Sequence, residues 1–139
     1  MISKFRNKYA FLSNFYPCDV TYEGLKFKSV ESAFQAAKTP NIEDRKVFVN
    51  LSARDAKKQG RSLMLRSDWE KIKESVMYKC LQSKFSNEDW KKALIETYPN
   101  ELVETNTWGD IYWGVYNKIG DNRLGKLLMQ LRDELRSNI

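Results

Sequence analysis

The amino-acid sequence predicts a mainly helical α+β domain, and three observations predict it: helical periodicity through most of the chain, one short alternating segment near its start, and a length suited to one core. At 139 residues the chain falls within the range of about 100 to 150 residues over which a single core commonly forms, so one domain spanning 1–139 is expected. No repeat, low-complexity tract or Pro/Gly-rich linker divides it, and the 6 Gly and 3 Pro sit where turns or helix boundaries are expected.

The elements follow in order. Residues 20–27 alternate around Glu23-Gly24, which predicts a short hairpin. Ser29 can cap a helix running to about Thr39 and ended by Pro40. Further helices are predicted over 43–50, over 53–59 behind the cap Ser52 and before Gly60, over 68–85, and over 88–98 behind Asn87. In the segment 68–85, Trp69, Ile72, Val76, Cys80 and Leu81 recur at helical spacing and face the core, leaving Glu70, Lys71, Lys73 and Glu74 mostly wet. Residues 102–104 and 115–118 read as short strands. The last helix, over 122–136, places Leu124, Leu127, Leu128, Leu131 and Leu135 on a buried face.

Composition excludes several function classes. Hydrophobic residues make up 42% of the chain and charged residues 30%, enough for a core beneath a soluble surface. No apolar run approaches the roughly 20 residues that span a bilayer, so no membrane partner is expected. The start carries no basic region followed by an apolar stretch and a small-residue cleavage site, which makes the cytoplasm the expected location. Two isolated cysteines, Cys18 and Cys80, fit neither a metal cluster nor a disulfide framework. The chain has no histidine, which removes the commonest metal ligand and general base together with every Ser-His or Cys-His nucleophile. Any catalysis must then use carboxylates, lysine or tyrosine. The net charge of +6 favours anionic partners without separating a nucleotide from a nucleic acid.

Three constellations can carry chemistry. In Ser29-Val-Glu-Ser-Ala-Phe-Gln-Ala-Ala-Lys38, residues Glu31, Gln35 and Lys38 stand at i, i+4 and i+7 on one helical face, with Val30, Phe34 and Ala37 opposite. Such a row can aim a carboxylate, an amide and an amine at one ligand; the bland alternative is an amphipathic helix with a wet polar face. In Gly120-Asp-Asn-Arg-Leu-Gly-Lys126, Asn122 can act as N-cap and Gly125 leaves room for close backbone approach. The helix start can then take a phosphate, or it can be an ordinary cap that binds nothing. In Trp108-Gly-Asp-Ile-Tyr-Trp-Gly114, with Glu104 upstream, aromatic rings can stack on a planar base and Asp110 can hydrogen-bond a ribose hydroxyl or water; core aromatics are the usual explanation of such density.

These blocks, with Phe11-Leu-Ser-Asn-Phe-Tyr-Pro17 and Leu102-Val-Glu-Thr-Asn106, resemble the NADAR (NAD and ADP-ribose associated) or YbiA-like superfamily. They occur in the family's order and cover nearly the whole chain, and Ala56-Lys-Lys-Gln-Gly-Arg61, Trp69 and Lys84-Phe85 also fit. The resemblance implies a compact, mostly helical YbiA-like domain with a few short strands, and N-glycosidase activity on phosphoribosylated or ADP-ribosylated compounds. In one branch the substrates are phosphoribosylamino-pyrimidine intermediates of riboflavin synthesis; in another, ADP-ribose is removed from guanine in nucleic acid. A non-catalytic nucleotide or nucleic-acid binding module is the alternative from a different class.

Cleavage of an N-glycosidic bond needs stabilisation of positive charge developing at the anomeric carbon, and a nearby carboxylate can supply it or deprotonate the attacking water. Glu31 is assigned that role, helped by its place near a helix start. Both substrate types carry the sugar on an exocyclic amine, so a desolvated lysine can form a Schiff base after ring opening. Lys38 is the first candidate and Lys84 the second, and direct hydrolysis stays open beside this route. Around them Asn14, Gln35 and Asp110 are expected to hydrogen-bond ribose or base, Trp69, Trp108 and Trp113 to stack or wall the ligand, and Arg61 to contact phosphate. Asn122, Leu124 and Gly125 are expected to form an anion site through cap and backbone amides. No step requires a metal or a cofactor, and the oligomeric state is left open.

Overall fold

The computed structural model describes residues 1–138, and its main chain groups into two compact units. One is the continuous stretch Asn14–Asn87; the other joins Met1–Ser13 to the chain from Glu88 onward.

In the continuous unit, β1 (Val20–Tyr22) pairs antiparallel with β2 (Leu25–Phe27), Val20 facing Phe27 and Tyr22 facing Leu25. Glu23 and Gly24 both take the left-handed region, with φ of 45° and 86°, the two-residue turn whose twist matches the flanking strands. Strand alternation buries Val20, Tyr22 and Phe27 and leaves Thr21 and Lys26 exposed. Helix α1 (Val30–Ala36) starts at Ser29, whose hydroxyl accepts the Ser32 N–H at 3.0 Å. Its neighbours α2 (Ile42–Lys46) and α3 (Ala53–Gly60) start in the same way, the Asn41 side chain accepting from Asp44 and the Ser52 hydroxyl from Asp55. Helix α4 (Trp69–Lys84) buries Trp69, Val76, Met77, Cys80 and Leu81.

Both strands and all three other helices of this unit lie against α1. Val30, Ser32, Ala33, Phe34, Gln35 and Ala36 are therefore all buried, and the amphipathic helix with a solvated polar face is overturned. Predicted helices are also shorter than expected, the one predicted over 88–98 ending at Glu96. α1 stops at Ala36, with Ala37 as its cap, instead of reaching Thr39, and α2 stops at Lys46 instead of Asn50.

In the other unit a 3-10 helix spans Asn7–Leu12, and α5 (Glu88–Glu96) packs against α6 (Arg123–Ser137). Leu124, Leu128 and Leu131 are buried along α6, while Leu127 and Leu135 are half-buried. Phe11 stacks on Trp90 with rings 6.1 Å apart and 9° from parallel. The strands predicted at 102–104 and 115–118 do not form. Their residues make single bridges, Ile2 with Leu102, Thr105 with Val115, and Tyr116 with Ile119. The ladder cannot extend because Asn117 and Lys118 turn left-handed, at φ 48° and 67°, and because the side chain of Asn122 takes the Glu104 N–H and the Leu102 carbonyl that a neighbouring strand would need.

Candidate active site

The site builds from the start of α1. The Glu31 N–H donates to the Asn14 carbonyl at 3.0 Å, so the Phe11-to-Pro17 block ends by fixing the first turn of the helix that carries the carboxylate. The Asn14 side chain donates from Nδ2 to Met77 Sδ at 3.5 Å, and its Oδ1 is buried without a hydrogen-bond partner. One turn along α1, Gln35 is only 6% exposed. Its Nε2 is directed at Glu31 Oε2, 3.5 Å away, and its Oε1 is likewise buried and unpartnered. The amide oxygens of Asn14, whose carbonyl holds the Glu31 N–H, and of Gln35, whose Nε2 meets the half-buried carboxylate, are thus both buried without a donor. Each such acceptor costs on the order of 1–3 kcal/mol until a donor reaches it, a cost that a bound sugar or amine can relieve.

Lys38 does not ride on the helix with Glu31, because α1 has already ended. A turn carries it instead, its N–H donating to the Gln35 carbonyl at 3.2 Å, and its Nζ lies 5.9 Å from the centre of the Phe34 ring. Partial burial lowers its pKa; the Glu31 carboxylate opposes that shift and the Lys57 ammonium adds to it. Glu31 and Lys38 therefore still feel each other's charge. Lys84, the last residue of α4, is more strongly perturbed. It is 1% exposed, with Nζ 5.8 Å from the Tyr16 ring centre and 5.2 Å from that of Phe85. Burial pushes its amine down to about 8, against an opposing pull from Cys18. At pH 7 about one molecule in ten then carries a neutral amine here, against about one in three thousand for an ordinary lysine.

Trp69 is 5% exposed and packs its ring on Phe34 at 5.0 Å and 56°. It belongs to the core beneath α1 and offers no open face for stacking, a correction to its expected role as a ligand wall. Arg61 is exposed, just past the end of α3.

The second unit corrects the expected anion site. Asn122 does occupy the position before α6, but left-handed at φ 50° and with no capping side-chain bond. Its Oδ1 accepts the Glu104 N–H at 2.9 Å and its Nδ2 donates to the Leu102 carbonyl at 2.9 Å, so the side chain straps the 102–104 segment to the helix start. The amides of Arg123 and Leu124 donate to the carbonyls of Tyr112 and Trp113 at 3.1 and 3.0 Å, which takes two of the donors a phosphate would use. The space at Gly125 is filled by the Leu102 carbonyl and the Asn122 side chain, 2.1 and 2.4 Å from where a Cβ would stand. The close approach expected at this glycine is made by the protein's own backbone.

Asp110 organises its own loop. Its Oδ1 accepts the N–H groups of Tyr112 and Trp113 at 3.0 and 2.9 Å, and its main chain is held by both ends of the Asn106 side chain. Trp113 meets Tyr112 edge to face at 4.9 Å, and Trp108 is 58% exposed. Glu104 is tightly placed as well. Its Oε2 accepts from Asn106 Nδ2 at 3.3 Å and lies 1.7 Å from where a Cβ on Gly114 would be. Sequence reasoning noted this carboxylate without giving it a role; the signal available was the glycine ten residues on.

What fold and site define together is a mainly helical α+β protein with a carboxylate and an amide on one buried helix, a depressed-pKa amine in the turn after it, and a second such amine at the end of α4. The NADAR domain family model matches residues 2–136, and the chain belongs to that family. It is 39% identical over 132 residues to the N-glycosidase YbiA of Shigella boydii, an alignment covering 91% of this chain and 82% of the relative. It is 33% identical over 135 residues to a riboflavin biosynthesis protein of Vibrio vulnificus, covering 94% of this chain and 36% of that longer protein. Among solved structures, the NMR structure of YbiA from Escherichia coli superposes with a TM-score of 0.84 at 37% identity, covering 99% of this chain and 86% of that one.

Proposed function

We propose that this protein is an N-glycosidase that hydrolyses the bond between a phosphorylated ribose and the exocyclic amine of a heterocycle, with phosphoribosylamino-pyrimidines as its substrate class. The observation that carries the reading is Glu31, a half-buried carboxylate at the start of α1 that meets the Gln35 amide and whose charge reaches the partly buried Lys38 amine. A carboxylate so held is suited to a sugar whose anomeric carbon becomes positive. The names of the Shigella and Vibrio relatives, an N-glycosidase and a riboflavin biosynthesis protein, support the activity and the substrate class respectively.

In this reading the C1–N bond breaks as water bonds to C1; Glu31 stabilises the developing charge, takes a proton from the water and returns it to the departing amine. Asn14 Oδ1 accepts from the ribose or the departing amine, while Gln35 Nε2 holds the Glu31 carboxylate. The buried amine of Lys84, more often neutral at pH 7 than that of Lys38, is the better candidate to add to the ring-opened iminium where a covalent route operates. Arg61 provides an exposed cation for the phosphate.

The test incubates the protein with a phosphoribosylamino-pyrimidine and, separately, with an oligonucleotide carrying ADP-ribosylated guanine, and reads the released product by mass spectrometry with and without borohydride. Release from the first substrate, abolished in Glu31→Gln, is expected. Release from the oligonucleotide alone would move the substrate assignment to nucleic acid, and release from neither would refute the glycosidase reading.

A further inference from the structure

Gly60 closes α3, and helices often end near a glycine because the residue after the end turns left-handed. That reason is absent here. Gly60 is still helical and its φ lies outside the left-handed region, while the cap Arg61 is ordinary right-handed backbone at φ −66° and ψ −22°. Alanine would be the better helix former at such a position, so the missing side chain serves space and not conformation.

The occupant of that space is Gln35. A Cβ on Gly60 would stand 2.0 Å from Gln35 Oε1 and 2.8 Å from its Cδ, so the amide oxygen fills the place where any other residue carries its first side-chain carbon. Gln35 is 6% exposed and lies between two helices that pack together. A buried amide orients by its partners, an acceptor drawing the NH2 end. Here the Glu31 carboxylate takes Nε2 at 3.5 Å, and the oxygen is left in the notch without a hydrogen-bond partner.

We propose that Gly60 is a positioning residue for the reaction: the notch left by its missing side chain seats the Gln35 amide so that Nε2 holds the Glu31 carboxylate. This rests on Glu31 being the carboxylate that works at C1. Gly60 acts only through Gln35, and what a methyl at Gly60 displaces is the far end of that side chain, so a substitution disturbs alignment more than folding.

The test compares Gly60→Ala, Gln35→Ala and the double variant by kcat and KM on the phosphoribosylamino-pyrimidine, and by melting temperature. In Gly60→Ala, kcat is expected to fall roughly 10- to 100-fold, the loss of one hydrogen bond to a charged group, with KM within about twofold. Gln35→Ala should fall as far, and the double variant no further, because the second change removes an interaction already lost. A wild-type kcat in Gly60→Ala, or losses that multiply in the double variant, overturns the proposal. Should Gly60→Ala unfold while the double variant folds, the seating of Gln35 against Gly60 is supported directly, and kcat of Gln35→Ala then decides the positioning role. A second readout needs no turnover: the side-chain amide resonance of Gln35, assigned by its loss in Gln35→Ala, is expected to move in Gly60→Ala. An unmoved resonance refutes the notch. A wild-type protein that releases no base refutes the glycosidase reading alone, and the amide resonance then decides the notch by itself.

Discussion

A lysine buried at the end of α4 should leave a measurable mark on stability, and Lys84→Met isolates it. The amine titrates near 8 in the folded protein against an ordinary value of 10.5. Below pH 8 both folded and unfolded chains carry the proton, and the fold bears the full cost of a desolvated charge. Between about 8 and 10.5 the unfolded chain holds the proton and the folded chain has lost it, so stability rises with pH through this window and is level above it. The gap, at about 1.36 kcal/mol for each pH unit, amounts to about 3 kcal/mol. Cys80 has the opposite sign: burial, with a smaller contribution from Glu31, pushes its thiol up to about 12 from 9.0. Its contribution is therefore complete below pH 9 and lost as pH rises toward 12. Subtracting the Lys84→Met profile from that of the wild type cancels Cys80 and every surface lysine. Urea unfolding at steps from pH 7 to 10.5 should show the wild type gaining about 3 kcal/mol relative to Lys84→Met. A difference curve that stays flat over that range, or slopes downward, would refute the burial argument and with it the case for a neutral amine at this position.

Other outcomes follow from the same geometry. Asn122→Ala removes two hydrogen bonds, to the Glu104 N–H and the Leu102 carbonyl, and leaves alanine in a left-handed conformation. Urea unfolding should show a loss of about 2–4 kcal/mol, and a loss below about 1 kcal/mol would mean that the strap contributes little. Because the Arg123 and Leu124 amides are already taken, inorganic phosphate should raise the melting temperature of the wild type and Lys126→Ala equally; a rise confined to the wild type would restore an anion site at α6. With Cys80 fully buried and its thiol raised to about 12, a disulfide reagent at pH 8 should label one thiol in the native protein, lose that label in Cys18→Ser, and find two in denaturant. Cys18, itself raised by burial although Lys84 opposes the shift, should react more slowly than a free thiol.

The elements readable from the sequence were those whose signals are local. Glu23-Gly24 announced a turn that needs two left-handed residues, Ser29 and Ser52 announced helix starts three residues before the amides they accept, and the 3.6-residue rhythm of α4 and α6 needed no knowledge of neighbours. Where long-range packing decides, the sequence was silent or misleading. Gln35 looks like a wet residue on an amphipathic helix because nothing within a turn of it records that strands and helices cover every side of α1. Lys84 ranks behind Lys38 as a desolvated amine in the sequence, and only the Tyr16 and Phe85 rings reveal that it is the more deeply buried of the two. Asn122 carried a true signal with the wrong partner. Asn before a helix suggests a cap, yet its amide reaches back 18 and 20 residues to Glu104 and Leu102, and that strap explains why the predicted strand beside it could only be a bridge.

The glycines make the same point with more consequence for function. At Gly24 the backbone needs the residue, at φ 86°, and any sequence reading would find it. At Gly60 and Gly114 a side chain elsewhere needs the space, Gln35 in one case and Glu104 in the other, and no local rule can find that. Both are polar groups pressed against bare backbone, Gln35 beside the Glu31 carboxylate and Glu104 a carboxylate itself. Such close seating limits rotamer freedom without adding a hydrogen bond, which is how a fold can hold an acid in line at little enthalpic gain. In the proposed reaction, Gly60 is the glycine without a conformational reason that stands behind Glu31 through Gln35, as Gly114 stands against Glu104.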